Sequence, residues 1–503
     1  MPREGDLLLM GVDCGNTAIK AAIFDESGAT LAVANRRTAV VSPAPGHVEQ
    51  DMHQLWASAA EAMREAVEHS GRAANEIVAV GVTAHGDGVY LADRAGAPLG
   101  NGILSVDSRA FQIVEGWRAD GRLAQAEALI AQRPYPYAAT ALLAWIKRHR
   151  PEQFAAIGHV MFCKDWVRRC LTGVFATDPT DASTAFTNPQ SQAYEPEILK
   201  LLDLQALSGA LVSIQPICGK IGVVTAEAAA LTGVPAGTPV AGGLHDVTAS
   251  AVGLGSLEPG ILSVTAGTFS INEALSETLV VDPRWSARAG LKPRQWMNMS
   301  ISPASSNNVD WFLQQAYRSE LAEAESRGIP VWSLIDADLG AARTPDDPLF
   351  HPFLYGSPYD EPASSGFFGL RSWHDRAHML RAVIEGAIFN HHTHARALAS
   401  AFPLSRAAIT GGGSATPRFA QLFADVLGMP VEIPEAKEVG ALGVAIAAGV
   451  GVGVYPSLAA GVAKACRVAA HYQPDPARHA AAAARYQRYA EIVEAMRPIW
   501  SGR

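Results

Sequence analysis

The sequence predicts a mixed α/β protein of two related halves, and three observations carry that prediction. A unit of apolar strand, glycine turn and second apolar strand opens the chain in "GVDCGNTAIKAAIFDESG" (residues 11–28) and returns in "PGILSVTAGTFSIN" (residues 259–272). Helix patterns alternate with further strand patterns after each of them, as in layered α/β domains. With 503 residues the chain is also too long for one hydrophobic core, so roughly two to four domains are expected.

The elements follow in order. Residues 7–12 and 18–24 are of strand length and rich in residues that suit a buried sheet, which makes a hairpin. Asp13, Gly15, Asn16 and Thr17 form its turn, where glycine lets successive N–H groups approach an anion. A second turn at residues 25–28 leads into a third strand at 29–34, completing an antiparallel meander. "DMHQLWASAAEAMREAVEHSG" then offers Asp51 as N-cap, Gln54 three residues on, and Leu55, Ala59, Met63 and Val67 along one face. A strand at 76–82 runs into "TAHGDGVYLAD". In the second half, "HMLRAVIEGAIFNHHTHARALA" reads as a long helix. It precedes a strand at 407–410, a turn "GGGSATP" capped by Ser414 or Thr416, and the helical "RFAQLFADVLG". The expected division is 1–247 and 248–503, with residues 234–258 joining two lobes around a cleft.

Composition narrows the function. A net charge of −9 and the absence of a basic arm or zinc module argue against nucleic acid, leaving a small molecule as the expected ligand. Five scattered cysteines without a CxxC fit reduced thiols and a cytoplasmic protein, and the N-terminus lacks the pattern of a signal peptide. Residues 439–463 carry no charge, but their glycines and Pro456 suit a buried helix better than a membrane span. A homodimer is compatible with all of this.

Three glycine turns stand at strand ends. With no GxxxxGK[ST] and no GxGxxG between strand and helix, a P-loop and a dinucleotide fold are disfavoured, and hairpin phosphate loops remain. Asp13 to Thr17 is one, Ala266 to Thr268 another, and Gly411 to Pro417 gives a planar ligand bare backbone to lie on. His391, His392 and His394 point in different directions from one helix, so no metal site is assigned to them.

The strings "GVDCGNTAIKAAIFD", "GILSVDSRA", "KDWVRRCLTG", "GGLHDVTASAVGLG", "AGTFS", "RAVIEGAIFN" and "TGGGSATPRFAQLFADVLGMPV" stand in the order found in the FGGY family of carbohydrate kinases, which the chain resembles from Gly11 to Val454. The resemblance implies two ribonuclease-H-like lobes of the actin and hexokinase superfamily, with ATP and Mg²⁺ as cofactors. It makes Asp246 the catalytic base, in contact with substrate and metal, and Asp13 the acid that holds Mg²⁺ through water. Lys20 matches a basic residue of the second strand, and Gly15, Asn16, Thr17, Gly267, Thr268, Gly412, Gly413 and Ser414 fall at nucleotide or phosphate positions. His85, Asp87, Asp107, Arg109 and Tyr137 fall at sugar positions.

Here the chain departs from its relatives: His85-Gly86-Asp87 stands where xylulose kinases carry Gln-Met-His and glycerol kinases Gln-Arg-Glu. Asp87 would accept from neutral hydroxyls and repel an acidic sugar. Ser105 replaces a tryptophan, so Tyr135, Tyr137 or Trp166 is expected to supply the pocket wall. The implied activity is phosphorylation of a terminal hydroxyl of a short neutral pentulose such as xylulose or L-xylulose, with erythritol or another short polyol as alternative. A non-catalytic sugar sensor or a chaperone-like ATPase of the same superfold is the alternative from another class.

Overall fold

The computed structural model describes residues 7–340, 346–359, 362–412 and 416–502. The chain divides into two compact units, each assembled from three segments: Met1–Leu257, Leu275–Asn298 and Ala436–Arg467 in the first, Glu258–Ala274, Met299–Glu435 and Val468–Arg503 in the second.

The first unit is built on a seven-stranded sheet. Strands β1 (Leu8–Cys14), β2 (Ala18–Asp25) and β3 (Thr30–Arg37) form the expected antiparallel meander. β4 (Ile77–Ala84) then lies parallel to β1, so Asp13 stands level with Thr83 on one side and Lys20 on the other. Three short strands complete it: β5 (Lys220–Val223), β6 (Pro239–Ala241) and β7 (Leu244–His245), in the order β5-β6-β4-β1-β2-β3, with β7 also on β4. Within residues 234–258, the stretch that the sequence suggested as a connector, Pro239–Ala241 and Leu244–His245 are strands of this sheet and Asp246–Gly253 is a helix.

The helix Met52–His69 forms where its cap predicts. The Asp51 carboxylate accepts from the Gln54 N–H, while Leu55, Ala59 and Met63 are buried. The uncharged run becomes two helices, Val439–Gly451 and Leu458–Ala465. The first packs with Leu9, Ala22, Phe24 and Ala79 of the sheet, so closely that a Cβ on Gly11 would stand 1.9 Å from the Ala441 carbonyl oxygen, and one on Gly81 2.1 Å from that of Val444. Glycine on both strands is what lets helix and sheet backbones meet.

A second seven-stranded sheet, most of it in the second unit, repeats the plan. β8 (Ile261–Ala266), β9 (Ser270–Ser276), β10 (Trp296–Ser302), β11 (Arg406–Gly411), β12 (Val431–Pro434) and β13 (Val468–Tyr472) run in the order β10-β9-β8-β11-β12-β13. As in the first unit, a hairpin strand (β8) pairs in parallel with a later strand (β11), and an antiparallel strand (β13) closes the far edge. The duplication inferred from two similar hairpins thus extends to six strands of each sheet; the seventh differs, Leu244–His245 pairing on β4 in the first and Ser286–Ala289 lying at the edge beside β10 in the second. The helix Pro417–Leu427 is capped by Thr416, whose hydroxyl accepts from the Phe419 N–H.

Candidate active site

In the first unit the ends of β1, β4 and β7 converge. Asp13 leaves β1, His85-Gly86-Asp87 leaves β4, and β7 delivers His245 and then Asp246, the first residue of the helix Asp246–Gly253. Asp246 Oδ1 accepts from the Val247 N–H at 2.8 Å, and its side chain keeps about a third of its surface accessible. Burial, with the charge of Asp13 next, raises its carboxyl to about 7. Asp13 is raised to about 6 by burial, against the pull of Lys20. A carboxylate pair in which one raises the other is what a hydrated divalent cation relieves, so this donor set fits one.

His245 ties Asp246 to the positions expected for the sugar. Its Nδ1 lies 3.2 Å from Asp246 Oδ1, though off the line of a hydrogen bond, and its Nε2 lies 2.9 Å from Arg288 Nη1. Since a guanidinium only donates, Nε2 is the acceptor and the ring proton sits on Nδ1, facing Asp246. Burial, and Arg288 after it, hold the imidazole pKa far below its usual value, so the ring is neutral. Arg288 Nη2 donates to Asp87 Oδ2 at 3.0 Å and Nε to Gln132 Oε1 at 3.3 Å. Asp87 has a left-handed backbone (φ 56°), and a Cβ on Gly86 would stand 1.7 Å from His245 Nε2. The Gly86-Asp87 turn is therefore packed against His245, beside Asp246. The expectation that Asp87 repels an acidic sugar loses its ground, because Arg288 compensates its charge.

Tyr137 lies close to this couple. Its carbonyl accepts from the Gly88 N–H at 3.0 Å, its ring stacks on Tyr135 at 5.4 Å, and after burial and Tyr135 the charges of Asp87 and Arg288 are what its hydroxyl feels. Trp166, the other wall candidate, is instead packed in the core and donates its indole N–H to the Met52 carbonyl. Ser105 accepts from Asn16 Nδ2 at 3.1 Å and stands 3.5 Å from His85 Nδ1, so it bridges two predicted positions. His85 is buried, its pKa lowered to about 4 by burial, with Nε2 3.1 Å from the Tyr90 hydroxyl. Asp107 and Arg109 are engaged with one another at 2.8 Å. Arg109 also pairs with Glu49 at 2.8 Å, and Asp107 accepts from the Val48 N–H. Lys20 is paired with Glu438 at 2.7 Å. Gly15 donates to the Ala18 carbonyl and leaves Thr17 exposed.

The three carboxylates with metal-like spacing, Asp165, Asp178 and Asp181, enclose Lys164 Nζ, which is 2.5 Å from Asp178 and 3.1 Å from Asp165 and also bonds Asp181. A lysine already fills that centre. Through Thr180, whose hydroxyl donates to Asp178 and accepts from the His245 N–H at 2.8 Å, the cluster braces the corner that carries Asp246.

The second unit carries a pocket of about 270 Å³ where β8 and β11 end side by side. Gly267, Thr268 and Gly412 line it with backbone and hydroxyl groups, and Trp332, Ile388 and Phe423 supply apolar walls suited to a base. A Cβ on Gly411 would stand 2.6 Å from the Ala266 carbonyl oxygen, and Gly411 has φ 84°, so this turn needs glycine. Gly413 and Ser414 lie outside the described residues. His391 lines the pocket but binds inward: its Nδ1 donates to Asn272 Oδ1 and its Nε2 accepts from Ser305 Oγ, both at 2.9 Å. His394 bonds Ser300 and Ser302, so the histidine cluster is a buried neutral network. Arg288, His245 and Glu438 escaped sequence reasoning; only their position beside named motifs could have flagged His245 and Glu438, and nothing local marks Arg288.

Two family models match the chain: the N-terminal domain of the FGGY family of carbohydrate kinases over residues 8–253 and its C-terminal domain over 262–452. The chain is 34% identical to an L-xylulose/3-keto-L-gulonate kinase of Escherichia coli strain K12, with 97% of each chain covered. It is 33% identical to a probable L-xylulose kinase of Pasteurella multocida, covering 97% of this chain and 99% of that one. Among solved structures, a xylulose kinase from Rhodospirillum rubrum superposes with a TM-score of 0.88 at 28% identity, over 98% of this chain and 99% of that one. Among the described residues, no helix is long and apolar enough to cross a membrane.

Proposed function

The chain belongs to the FGGY family of carbohydrate kinases, and from that premise we propose that it transfers the γ-phosphoryl group of ATP to a terminal hydroxyl of a pentulose, L-xylulose first. The observation that carries the chemistry is Asp246: a partly accessible carboxyl at a helix start, raised to about 7. A base with a pKa near neutrality is ionised enough to accept the substrate's proton and strong enough to want it. As the hydroxyl oxygen bonds the γ-phosphorus, the bond to the bridging oxygen of ADP breaks and the hydroxyl proton passes to Asp246. His245, neutral and fixed by Arg288, presents its Nδ1 face to that carboxylate without competing for the proton.

Asp13 and Asp246 are the residues that would hold Mg²⁺, which when bound supplies neutralisation of the phosphate charge. The second unit's pocket offers apolar walls for adenine and the Gly267-Thr268 turn for phosphate. The names of two relatives support L-xylulose. The Asp87–Arg288 pair also favours a second reading, a sugar acid such as the one in the first relative's name, because Arg288 compensates the Asp87 carboxylate that would otherwise repel an anion.

The test is ADP release with ATP and Mg²⁺ across four- and five-carbon ketoses and polyols plus a keto-aldonate. Release that appears with a pentulose, and disappears in Asp246→Asn, supports the reading. Release that ignores added sugar points instead to an ATPase of the same fold and sinks it.

A further inference from the structure

The acid at the sugar position and the arginine that reaches it are 201 residues apart in sequence, yet they form one buried pair: 12% and 8% of their side-chain surfaces remain accessible. We propose, building on the kinase reading above, that Asp87 and Arg288 act as a single couple that sets the charge selectivity of the sugar site. Each partner holds the other's charge, and losing either one turns the site toward substrates of the charge that partner had carried.

Three features place the couple where it can do this. The turn that carries Asp87 lies against the His245 ring, one residue from the base, since Gly86 has no room for a Cβ there. The left-handed backbone at Asp87 is one that aspartate and asparagine tolerate better than other residues with a side chain, so the carboxylate is aimed by its own main chain as well as by Arg288. Finally, each partner has bonding capacity left over. Arg288 uses three of its five N–H groups, on Asp87, His245 and Gln132, and no protein hydrogen bond among the described residues falls on Asp87 Oδ1. The couple thus presents a donor and an acceptor side by side, the complement of adjacent oxygens on a polyhydroxy chain.

The electrostatics are asymmetric. A buried pair adds little by itself, but removing one partner leaves an uncompensated charge in a poorly solvated place, which is costly unless the substrate supplies the counter-charge. Asp87→Asn keeps the left-handed turn and exposes a cation; Arg288→Gln keeps a polar side chain and exposes an anion. Specificity, being a difference between two affinities, should move in opposite directions in the two variants.

The experiment measures kcat/KM of the full-length enzyme by ADP release with L-xylulose and with a keto-aldonate, in wild type, Asp87→Asn, Arg288→Gln and the double variant. Asp87→Asn is expected to raise the ratio of acid to neutral turnover about tenfold or more, and Arg288→Gln to lower it by a similar factor. With L-xylulose each single variant should lose roughly 10- to 100-fold, and the double variant no more than the worse single, because both remove one interaction. Should Arg288→Gln fail to fold by circular dichroism, Asp87→Asn carries the test of the ratio, with Arg288→Lys, which retains the charge, as its control, expected to stay within about threefold of wild type. A ratio unmoved in either single variant, or losses that multiply in the double, overturns the couple while leaving an active kinase. A wild type that releases ADP with neither sugar class overturns the kinase reading, and the couple falls with it.

Discussion

Replacing Asp246 by asparagine keeps the oxygen that accepts from Val247 and nearly the same volume, while removing the only part of the side chain that can take a proton. Turnover should therefore fall by about 10²–10⁴, with the melting temperature and sugar binding close to wild type; near-normal kcat by ADP release would rule out Asp246 as the base. Gly86→Ala is a packing prediction at the same corner. Its new Cβ would overlap the His245 ring at Nε2, the same atom that Arg288 holds, so ring and turn cannot both stay in place. We expect at least tenfold lower kcat/KM and a lower melting temperature, read by coupled assay and thermal unfolding. Asp13, Asp87 and Asp246 were flagged through the resemblance, on the strings that carry them; local pattern alone showed only glycine turns at strand ends around Asp13 and Asp87. Arg288 and Glu438 were not, because a salt bridge across 201 or 418 residues leaves no trace in the local pattern of either partner.

Elements were legible wherever a period was long enough to count. The two hairpins and the helix Met52–His69 follow from apolar spacing and a cap, but β6 and β7, of three and two residues, have no period at all. Those two strands carry Asp246 to its place, so the elements that position the proposed base were hidden in what read as a glycine-rich connector, although the resemblance named the residue itself. The uncharged run likewise shows composition without phase, which fixes burial but not the break between its two helices.

The helix Arg376–Ala399 supplies a prediction about acid. Burial lowers the pKa of His391 to about 3 and of His394 to about 4, from about 6.5 in an unfolded chain. Above that unfolded value neither state binds a proton at these rings and the stability is intact. As pH falls through 6.5 only the unfolded chain takes up protons, so stability is lost progressively toward the folded values, at about 1.4 kcal/mol per pH unit for each ring. Across pH 6 to 4.5, urea titrations of His391→Gln should show a pH slope shallower than wild type by about one proton. An unchanged slope would mean that His391 is charged in the folded protein. The glutamine can still reach Asn272 or Ser305, so the variant should fold at pH 7.5 with less stability than wild type.

At the scale of the whole chain, neither unit is a continuous piece of sequence, and this bears on the simple division near residue 250. The first unit takes its third segment, Ala436–Arg467, from near the C-terminal end, and that segment includes the helix that lies on the sheet against Leu9, Ala22, Phe24 and Ala79. Val439, Leu442, Val444 and Ile446 are all nearly or fully inaccessible there. Burying aliphatic side chains of this size contributes about 1.5–3 kcal/mol each, so together about 6–12 kcal/mol. That is as large as the whole stability of a typical domain, about 5–15 kcal/mol. A fragment ending at Leu257 would keep every strand of the first sheet but expose an apolar face, interrupted by Gly11 and Gly81, shaped to receive a helix backbone. It should be insoluble or, if recovered, bind a hydrophobic dye and show no cooperative thermal transition. Appending residues 436–467 through a flexible linker should restore a cooperative transition, since it returns the missing face without any of the second unit. A fragment of residues 1–257 that unfolds cooperatively on its own would show that the helix is an accessory to this sheet, and would favour the sequential division of the chain over the interleaved one.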